Sequence, residues 1–459
     1  MDTSDIIFLI CNSLNDVDKF AFLSMTTSHD KLKEKMWFND RIYFYRIYRH
    51  RYYDRFTNLI ICQITKMCVN IVDSKIRLPT GIKRLECSYD IKFDEIPEGL
   101  THFSSCYCSP ALPTNITHLK LSELNKLISP QLFMDHPKRL NKLKFIELNN
   151  FYLTNDISKE NYQGFPKTVT HLICHSYMFE HDHIDLIKYS TVGSNIEHLD
   201  FNMIPLTINQ PPSIGYTLTP NLSELYIGLK KLYIHLFDIQ TNTLSFLINL
   251  DILKIGVLFG DVTNDNIPPN ITYLKINEIN DDVSSIKQLP INIQRLALGF
   301  VRIGNNISLP NLTYLNIKFT FGSDFDIVML NNIISPQLCY LKINNEDIPP
   351  NIPLTVRQLV IGNNFDKTIR KKIPSFITHL TLGDQFNKSI RYNIPPSVTH
   401  LTLGKNFYQK KLGNVLPKTV THLTMSSKCY TLNQDNLRNR NLSITIQHVY
   451  EKDPFKKYE

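Results

Sequence analysis

Between residues 373 and 425 the chain writes one hydrophobic and polar pattern three times. Ile373-Pro-Ser-Phe-Ile-Thr-His-Leu-Thr-Leu-Gly383 is followed by Ile394-Pro-Pro-Ser-Val-Thr-His-Leu-Thr-Leu-Gly404, and then by Leu416-Pro-Lys-Thr-Val-Thr-His-Leu-Thr-Met425. Leu380 and Leu382 are two apart, so a strand turns both to one face and leaves His379 and Thr381 on the other. Ile377 sits three before Leu380, at the bend into that strand. Pro374 and Pro395 precede it, where a fixed φ and a missing N–H suit a bend outside the ladder. Gly383 and Gly404 follow it, which predicts a turn needing positive φ. Phe386 and Ile390 then close the coil on its far side. The few apolar side chains of one such unit cannot offset the entropy of ordering about 20 residues. Self-similarity at this period therefore predicts a solenoid, stable only because neighbouring coils stack.

The pattern extends well beyond these three copies. It begins at Leu78-Pro-Thr-Gly-Ile-Lys-Arg-Leu85 and continues through Ile96-Pro-Glu-Gly-Leu-Thr-His-Phe103 and Leu112-Pro-Thr-Asn-Ile-Thr-His-Leu-Lys-Leu121. Up to about Gly260 the register loosens. Strands are expected there at 140–145, 169–174, 196–201, 222–227 and 250–255, with helical turns at 181–189 and 229–237. From Ile267 it tightens again, and residues 442–446 read as a last, capping strand. Aligned on the first strand leucine, the array holds about sixteen units with a mean period near ~22 residues. The expected architecture is a repeat solenoid: a leucine-rich-repeat-like, curved, right-handed array of short parallel strands over residues 78–447. A charged tail, 448–459, follows.

The N-terminal stretch has a different period. Ile6, Ile7, Leu9 and Ile10 cluster with helical spacing up to Leu14, Asp16 offers an N-cap, and residues 19–25 and 31–38 continue as short helices. Three short helices are too few for an independent core, so residues 1–45 are expected to dock onto something. Residues 46–77 are expected to be a linker or helical cap. The segment from Arg41 to Arg55 alternates arginine and tyrosine. It fits a linking helix with Ile42, Tyr45 and Tyr52 or Tyr53 on one face, with a base-stacking surface as the more distant alternative.

Composition narrows the function classes. The chain has 459 residues, 42% of them hydrophobic and 20% charged, enough for a large core. The net charge of +8 is spread thinly, so a dedicated nucleic-acid groove is not indicated. Nine irregularly placed cysteines point to a reduced, intracellular setting. The opening Met-Asp-Thr-Ser-Asp lacks the basic region of a secretory signal, and no apolar run approaches the ~20 residues of a membrane span.

The most prominent chemistry is a histidine column: His102, His118, His171, His379, His400 and His422, each between threonine and leucine or phenylalanine. It reads first as a repeat-defining surface row, with a metal ladder or a pH-sensitive contact as alternatives. Cys174, His175, His181 and His183 have metal-friendly chemistry but no standard spacing. Cys87, Cys106 and Cys108 fit tight early coils. No phosphate-binding glycine loop, nucleophile elbow or zinc-protease motif occurs, and carboxylates are scattered. The expectation is a non-enzyme without cofactor or metal. A β-helix enzyme or a nucleic-acid binder is the more distant alternative.

Two resemblances sharpen this. Ile6-x-x-Leu-Ile-x-x-x-Leu14, followed by Asn15-Asp-Val-Asp-Lys-Phe-x-x-Leu-Ser24 and a helix ending at Trp37, resembles an F-box. That family implies binding of a Skp-type adaptor of a cullin–RING ubiquitin ligase, here through Ile6, Leu9, Ile10, Leu14, Phe20 and Leu23. Without it, the same residues are a helical cap on the first open coil. Phe365-Asp, Phe386-Asn and Phe407, each following a glycine and leading to Ile-Pro or Leu-Pro, resemble FNIP repeats. That leucine-rich-repeat-like family occurs in amoebal proteins and large viruses of amoebae. The resemblance implies a substrate receptor of an SCF-type ligase, with the repeats holding a target protein. The expected partner face is His379, Thr381, His400, Thr402, His422 and Thr424.

Overall fold

The structure, a computed structural model, describes residues 11, 19, 23, 33, 36–39, 42–43, 53–61, 78–87, 97–105, 114–122, 140–149, 166–176, 195–203, 228–239, 244–279, 285–304, 306–318, 333–344, 348–438 and 440–447. The chain divides into two units, Met1–Asn209 and Gln210–Glu459.

In the first unit the strands are β1 (Ile42–Tyr43), β2 (Asn58–Ile61), β3 (Arg84–Cys87), β4 (His102–Ser105), β5 (His118–Leu121), β6 (Phe145–Asn149), β7 (His171–Ser176) and β8 (His198–Met203). Each pairs with the next, always parallel. The register brings Leu59, Leu85, Phe103, Leu119, Ile146, Leu172 and Leu199 into one row, every member buried.

The second unit repeats the arrangement. Its strands are β9 (Lys231–Asp238), β10 (Ile252–Phe259), β11 (Tyr273–Ile279), β12 (Arg295–Phe300), β13 (Ile307–Ser308), β14 (Tyr314–Ile317), β15 (Ile333–Ile334), β16 (Tyr340–Ile343), β17 (Gln358–Ile361), β18 (His379–Leu382), β19 (His400–Leu403), β20 (His422–Ser426) and β21 (Ser443–Gln447). β13 and β15 pair only with each other, and the rest form one parallel ladder. Leu232, Leu253, Leu274, Leu296, Leu315, Leu341, Leu359, Leu380, Leu401 and Leu423 form its buried row. Both units are thus repeat solenoids, one strand per coil, and the alternation of buried and half-buried positions is the pattern read from the sequence.

Three expectations change. First, the ladder starts before residue 78. β1 and β2 lie in the stretch expected to be helical, and Ile42–Tyr43 is extended because it pairs with Leu59 and Ile60. Second, residues 229–237 are not a helical turn but β9, with Leu232 and Ile234 buried at a spacing of two. The apolar run Leu-Tyr-Ile-His-Leu-Phe satisfies both periods, and pairing along β10 decides for the strand. The expected segments 181–189 and 222–227 lie outside the described residues.

Third, the glycines after the strands have a different reason. Gly260 is the one described glycine with positive φ. Gly383 and Gly404 are required by crowding: a Cβ on Gly383 would run into the carbonyl of Gly362, and one on Gly404 into the carbonyl of Gly383. The coil can carry no side chain where its backbone leaves the ladder against the coil before it. Beyond this point Phe365, Phe386 and Phe407 stack 6.0 Å apart, fully buried, and Ile369, Ile390 and Leu412 lie buried beside them. That is the far-side closure expected of Phe386 and Ile390.

The final coil is closed differently. Besides the short α1 (Leu412–Val415), a helix, α2 (Ser427–Leu437), replaces the phenylalanine segment and turns Cys429, Asn433 and Leu437 inward. Ser426 caps it, its hydroxyl accepting from the Cys429 N–H. Asn433 is wholly buried. Its Oδ1 accepts from the Leu412 N–H (3.0 Å), and its Nδ2 donates to the carbonyls of Gln409 (2.8 Å) and Cys429 (3.0 Å). The Arg440 guanidinium donates to the carbonyls of Gly413, Leu416 and Pro417. These side chains satisfy backbone groups that a further coil would otherwise have paired.

Gly383→Ala is expected to cost about 1–3 kcal/mol, as overpacking against a fixed backbone does. Gly99→Ala, whose added Cβ would meet nothing nearer than Lys83 Nζ at 3.5 Å, should be neutral or slightly stabilising. Urea unfolding of the two variants side by side separates crowding from loss of glycine flexibility. By the same measurement Asn433→Ala should cost about 1–3 kcal/mol, the penalty for leaving buried backbone groups unpaired.

Candidate recognition face

Each coil has one strand face that does not enter the core. In the last coils of the second unit that face is built from two rows. The first runs Tyr340, Gln358, His379, His400, His422 and the second Lys342, Val360, Thr381, Thr402, Thr424. Between them lies an open cavity of about 300 Å³. All six residues read from the sequence as the partner face line it, together with Tyr340, Gln358 and Val360.

The parallel register places like on like, so the imidazoles stack. His379 and His400, and His400 and His422, have ring centroids 4.1 Å apart and nearly parallel planes. The preceding threonines hold them. Oγ1 of Thr378, Thr399 and Thr421 lies 2.9 Å from Nδ1 of the following histidine. The same hydroxyls reach the carbonyls one coil earlier, Arg357, Thr378 and Thr399, at 3.2–3.3 Å. Where the hydroxyl proton goes to that carbonyl, Nδ1–H is the donor to Oγ1 and the outer Nε2 is left as an acceptor. Thr101 with His102, Thr117 with His118 and Thr170 with His171 repeat the contact in the first unit. His102 and His118 also stack at 4.1 Å, and Phe145 follows His118 in the row.

Burial first, then the neighbouring His379 and His422, holds His400 below the ordinary imidazole value. Stacked protonated rings would repel, so the column favours neutral imidazoles that present a uniform row of hydrogen-bonding nitrogens.

The other expected chemistry is placed less productively. Cys174 and His175 are consecutive on β7, so their side chains leave opposite faces of the strand. Burial, and then the Asp200 carboxylate, push the Cys174 thiol up to about 12, which keeps it protonated and unsuited to bind metal. His181, His183, Cys106 and Cys108 lie outside the described residues, whereas Cys87 is a buried strand residue. Of the expected adaptor contacts, Ile6, Leu9, Ile10, Leu14 and Phe20 lie outside the described residues, and Leu23 is completely buried. Among the described residues no helix is long and apolar enough to cross a membrane.

Sequence reasoning missed the other members of the first row. Tyr273, Arg295, Tyr314 and Tyr340 occupy the histidine position in β11, β12, β14 and β16. The signal was present: Thr-Tyr-Leu at 272–274 and 313–315 stands where Thr-His-Leu stands later.

His400 gives the face a testable pH signature. Its proton affinity is lower folded than unfolded, so its contribution to stability is complete above the ordinary histidine range and is lost as pH falls through ~6.5 toward the folded value. Urea midpoints should therefore drop between about pH 7.5 and 5, and His400→Gln should flatten that slope. An equal slope in the variant would place the acid sensitivity elsewhere.

Comparison with known proteins gives a family match and a similar solved structure. Residues 386–428 match the model of the FNIP Repeat, a span that runs from Phe386 through β19 and β20 into the start of α2. No curated protein matches the chain. Among solved structures the chain is similar to CroV588, described as a novel circular LRR protein structure, at 19% identity and a TM-score of 0.29. That match covers 81% of this chain and 69% of CroV588. Residues 386–428 thus match the FNIP Repeat, and each of the two units is a repeat solenoid of parallel strands.

Proposed function

We propose that the chain is a recognition protein rather than an enzyme, and that the half-buried strand face of its repeats holds a partner protein. The observation that carries this reading is the cavity over β16–β20. It is lined by the same histidine and threonine positions, repeated at one-coil intervals and oriented by the same threonine contacts. A repeated, rigid row of hydrogen-bonding groups suits an extended partner surface. Chemistry on a single bond asks instead for one cluster of unlike groups.

Within this reading the N-terminal residues link the receptor to a ubiquitin ligase. The F-box-like stretch would dock on a Skp-type adaptor of a cullin–RING ligase, and other subunits would transfer ubiquitin to the captured target. A second reading is a scaffold without a ligase, in which the same residues cap the first coil. The complete burial of Leu23 favours it at that one position.

A pull-down with purified Skp-type adaptor separates the two. Under the ligase reading the intact chain binds, and Leu9→Asp combined with Phe20→Asp abolishes binding while circular dichroism stays unchanged. Failure of the intact chain to bind leaves the scaffold.

A further inference from the structure

The strand face carries different charges in the two units. In the first unit its third-position row reads Glu86, Ser104, Lys120, Glu147, Ile173 and Asp200, and Lys120 is paired to Glu147 at 2.7 Å. In the second unit, from β9 to β16, the same row reads Tyr233, Lys254, Lys275, Ala297, Asn316, Lys342, and the row beside it Lys231, Ile252, Tyr273, Arg295, Tyr314, Tyr340. These two rows hold five cations and no carboxylate. Among the described residues no acidic group pairs with Lys275, Arg295 or Lys342.

We infer that this strip of β9–β16 docks an acidic, extended polypeptide segment, with Lys275, Arg295 and Lys342 receiving its carboxylates and the Tyr314 and Tyr340 hydroxyls lying alongside. The inference rests on the proposal that the strand face is a recognition surface, and it names the chemistry of what that surface takes.

Three observations support it. The cations lie on two adjacent rows with fixed spacing, Lys275 and Lys342 on one and Arg295 on the other. Lys275 and Lys342 are three strands apart, about 14 Å at the ordinary interstrand distance, which an extended peptide spans in about four residues. The site is short of negative charge: burial, and then the ammonium of Lys254, hold Lys275 below the ordinary lysine value. An incoming carboxylate offsets the repulsion between the two ammonium groups. The Tyr340 phenol also stays protonated as a donor. Burial, then Tyr314 as a neighbour and hydrogen-bond partner, push Tyr340 up to about 12.

Arginine beside tyrosine also suits single-stranded nucleic acid, but here the ring faces are occupied. Arg295 lies 4.9 Å from the ring centroids of both Tyr273 and Tyr314, and Tyr314 stacks on Tyr340 at 4.3 Å. Lys254 sits 5.6 Å from the Tyr273 ring. Both faces of Tyr314 are thus covered, so this ring offers a base no platform on which to stack. Cations and phenol hydroxyls recognise carboxylates without stacking.

The test measures fluorescence anisotropy of a labelled deca-glutamate peptide on the intact chain, beside deca-glutamine and oligo-thymidine of ten nucleotides. Deca-glutamate is expected to bind, deca-glutamine not, and binding should weaken with salt. Combined Lys275→Glu, Arg295→Glu and Lys342→Glu should weaken it at least tenfold. Lys410→Glu, Lys418→Glu and Lys428→Glu together, the same charge change on exposed residues elsewhere, should leave it within twofold. If the reversed-charge variant does not fold by circular dichroism, Lys275→Met, Arg295→Gln and Lys342→Gln carry the same expectation. Equal losses in strip and control variants, tighter binding of oligo-thymidine, or no deca-glutamate binding would overturn the inference. Adaptor binding is read separately, so loss of peptide binding with adaptor binding intact removes this inference and leaves the ligase reading standing.

Discussion

The regular coils of these two units follow from one constraint, the spacing of parallel strands. Hydrogen-bonded neighbours lie about 4.8 Å apart, and the register sets each residue against its equivalent one coil away. The chain must therefore choose residues that tolerate their own kind at that distance. Leucine does, and a ten-membered buried row results in the second unit. Flat rings do: histidine on histidine at 4.1 Å, tyrosine on tyrosine at 4.3 Å. Threonine does too, because its hydroxyl reaches back to the preceding coil's carbonyl. Like charges do not. Where the first row needs a cation, Arg295 is set between two tyrosines, and in the third-position row burial, then Lys254 on the neighbouring strand, lower the proton affinity of Lys275. Glycine is the limiting case. At Gly383 and Gly404 the coils approach so closely that the equivalent position admits no side chain at all.

This constraint explains which parts of the molecule were legible in the sequence. Features identical in every coil appear as repetition, so the strands, the leucine row, the phenylalanine closure and the histidine column could be read directly. The reason for the glycines could not. Repetition shows that a position is restricted, but a positive φ and a close backbone both demand glycine, and only the neighbouring coil distinguishes them. Residues 229–237 were ambiguous for a related reason. Their apolar positions fit both helix and strand, and the deciding partner, β10, is about twenty residues away. The tyrosine and arginine members of the first row were overlooked because they break the repetition, although the threonine before Tyr273 and Tyr314 marks the same position.

The ends of an array obey a different rule. An interior coil has its edge paired on both sides, and a terminal one does not. At the C-terminal side the chain departs from its own pattern with α2, which no repeat predicts. Asn433 and Arg440 there do with side chains what the next coil would have done with backbone. In the sequence the signal was a serine at 426 followed by a run free of proline and glycine as far as Leu437, set where the coils before it bend.

The same rule bears on what the regular coils are free to do. Residues that seal an end are fixed by the backbone they must satisfy, and leucines in the row by the core they fill. The first and third strand positions of interior coils carry neither duty. They can vary in charge from one stretch to another without disturbing the ladder, and they do. They are acidic and basic together in the first unit, cationic and tyrosine-rich at the start of the second, and histidine and threonine at its close. A solenoid that needed only to be stable would gain nothing from leaving Lys275, Arg295 and Lys342 on one stretch of its face with no acidic partner among the described residues. The acidic segment proposed for this strip would account for their retention.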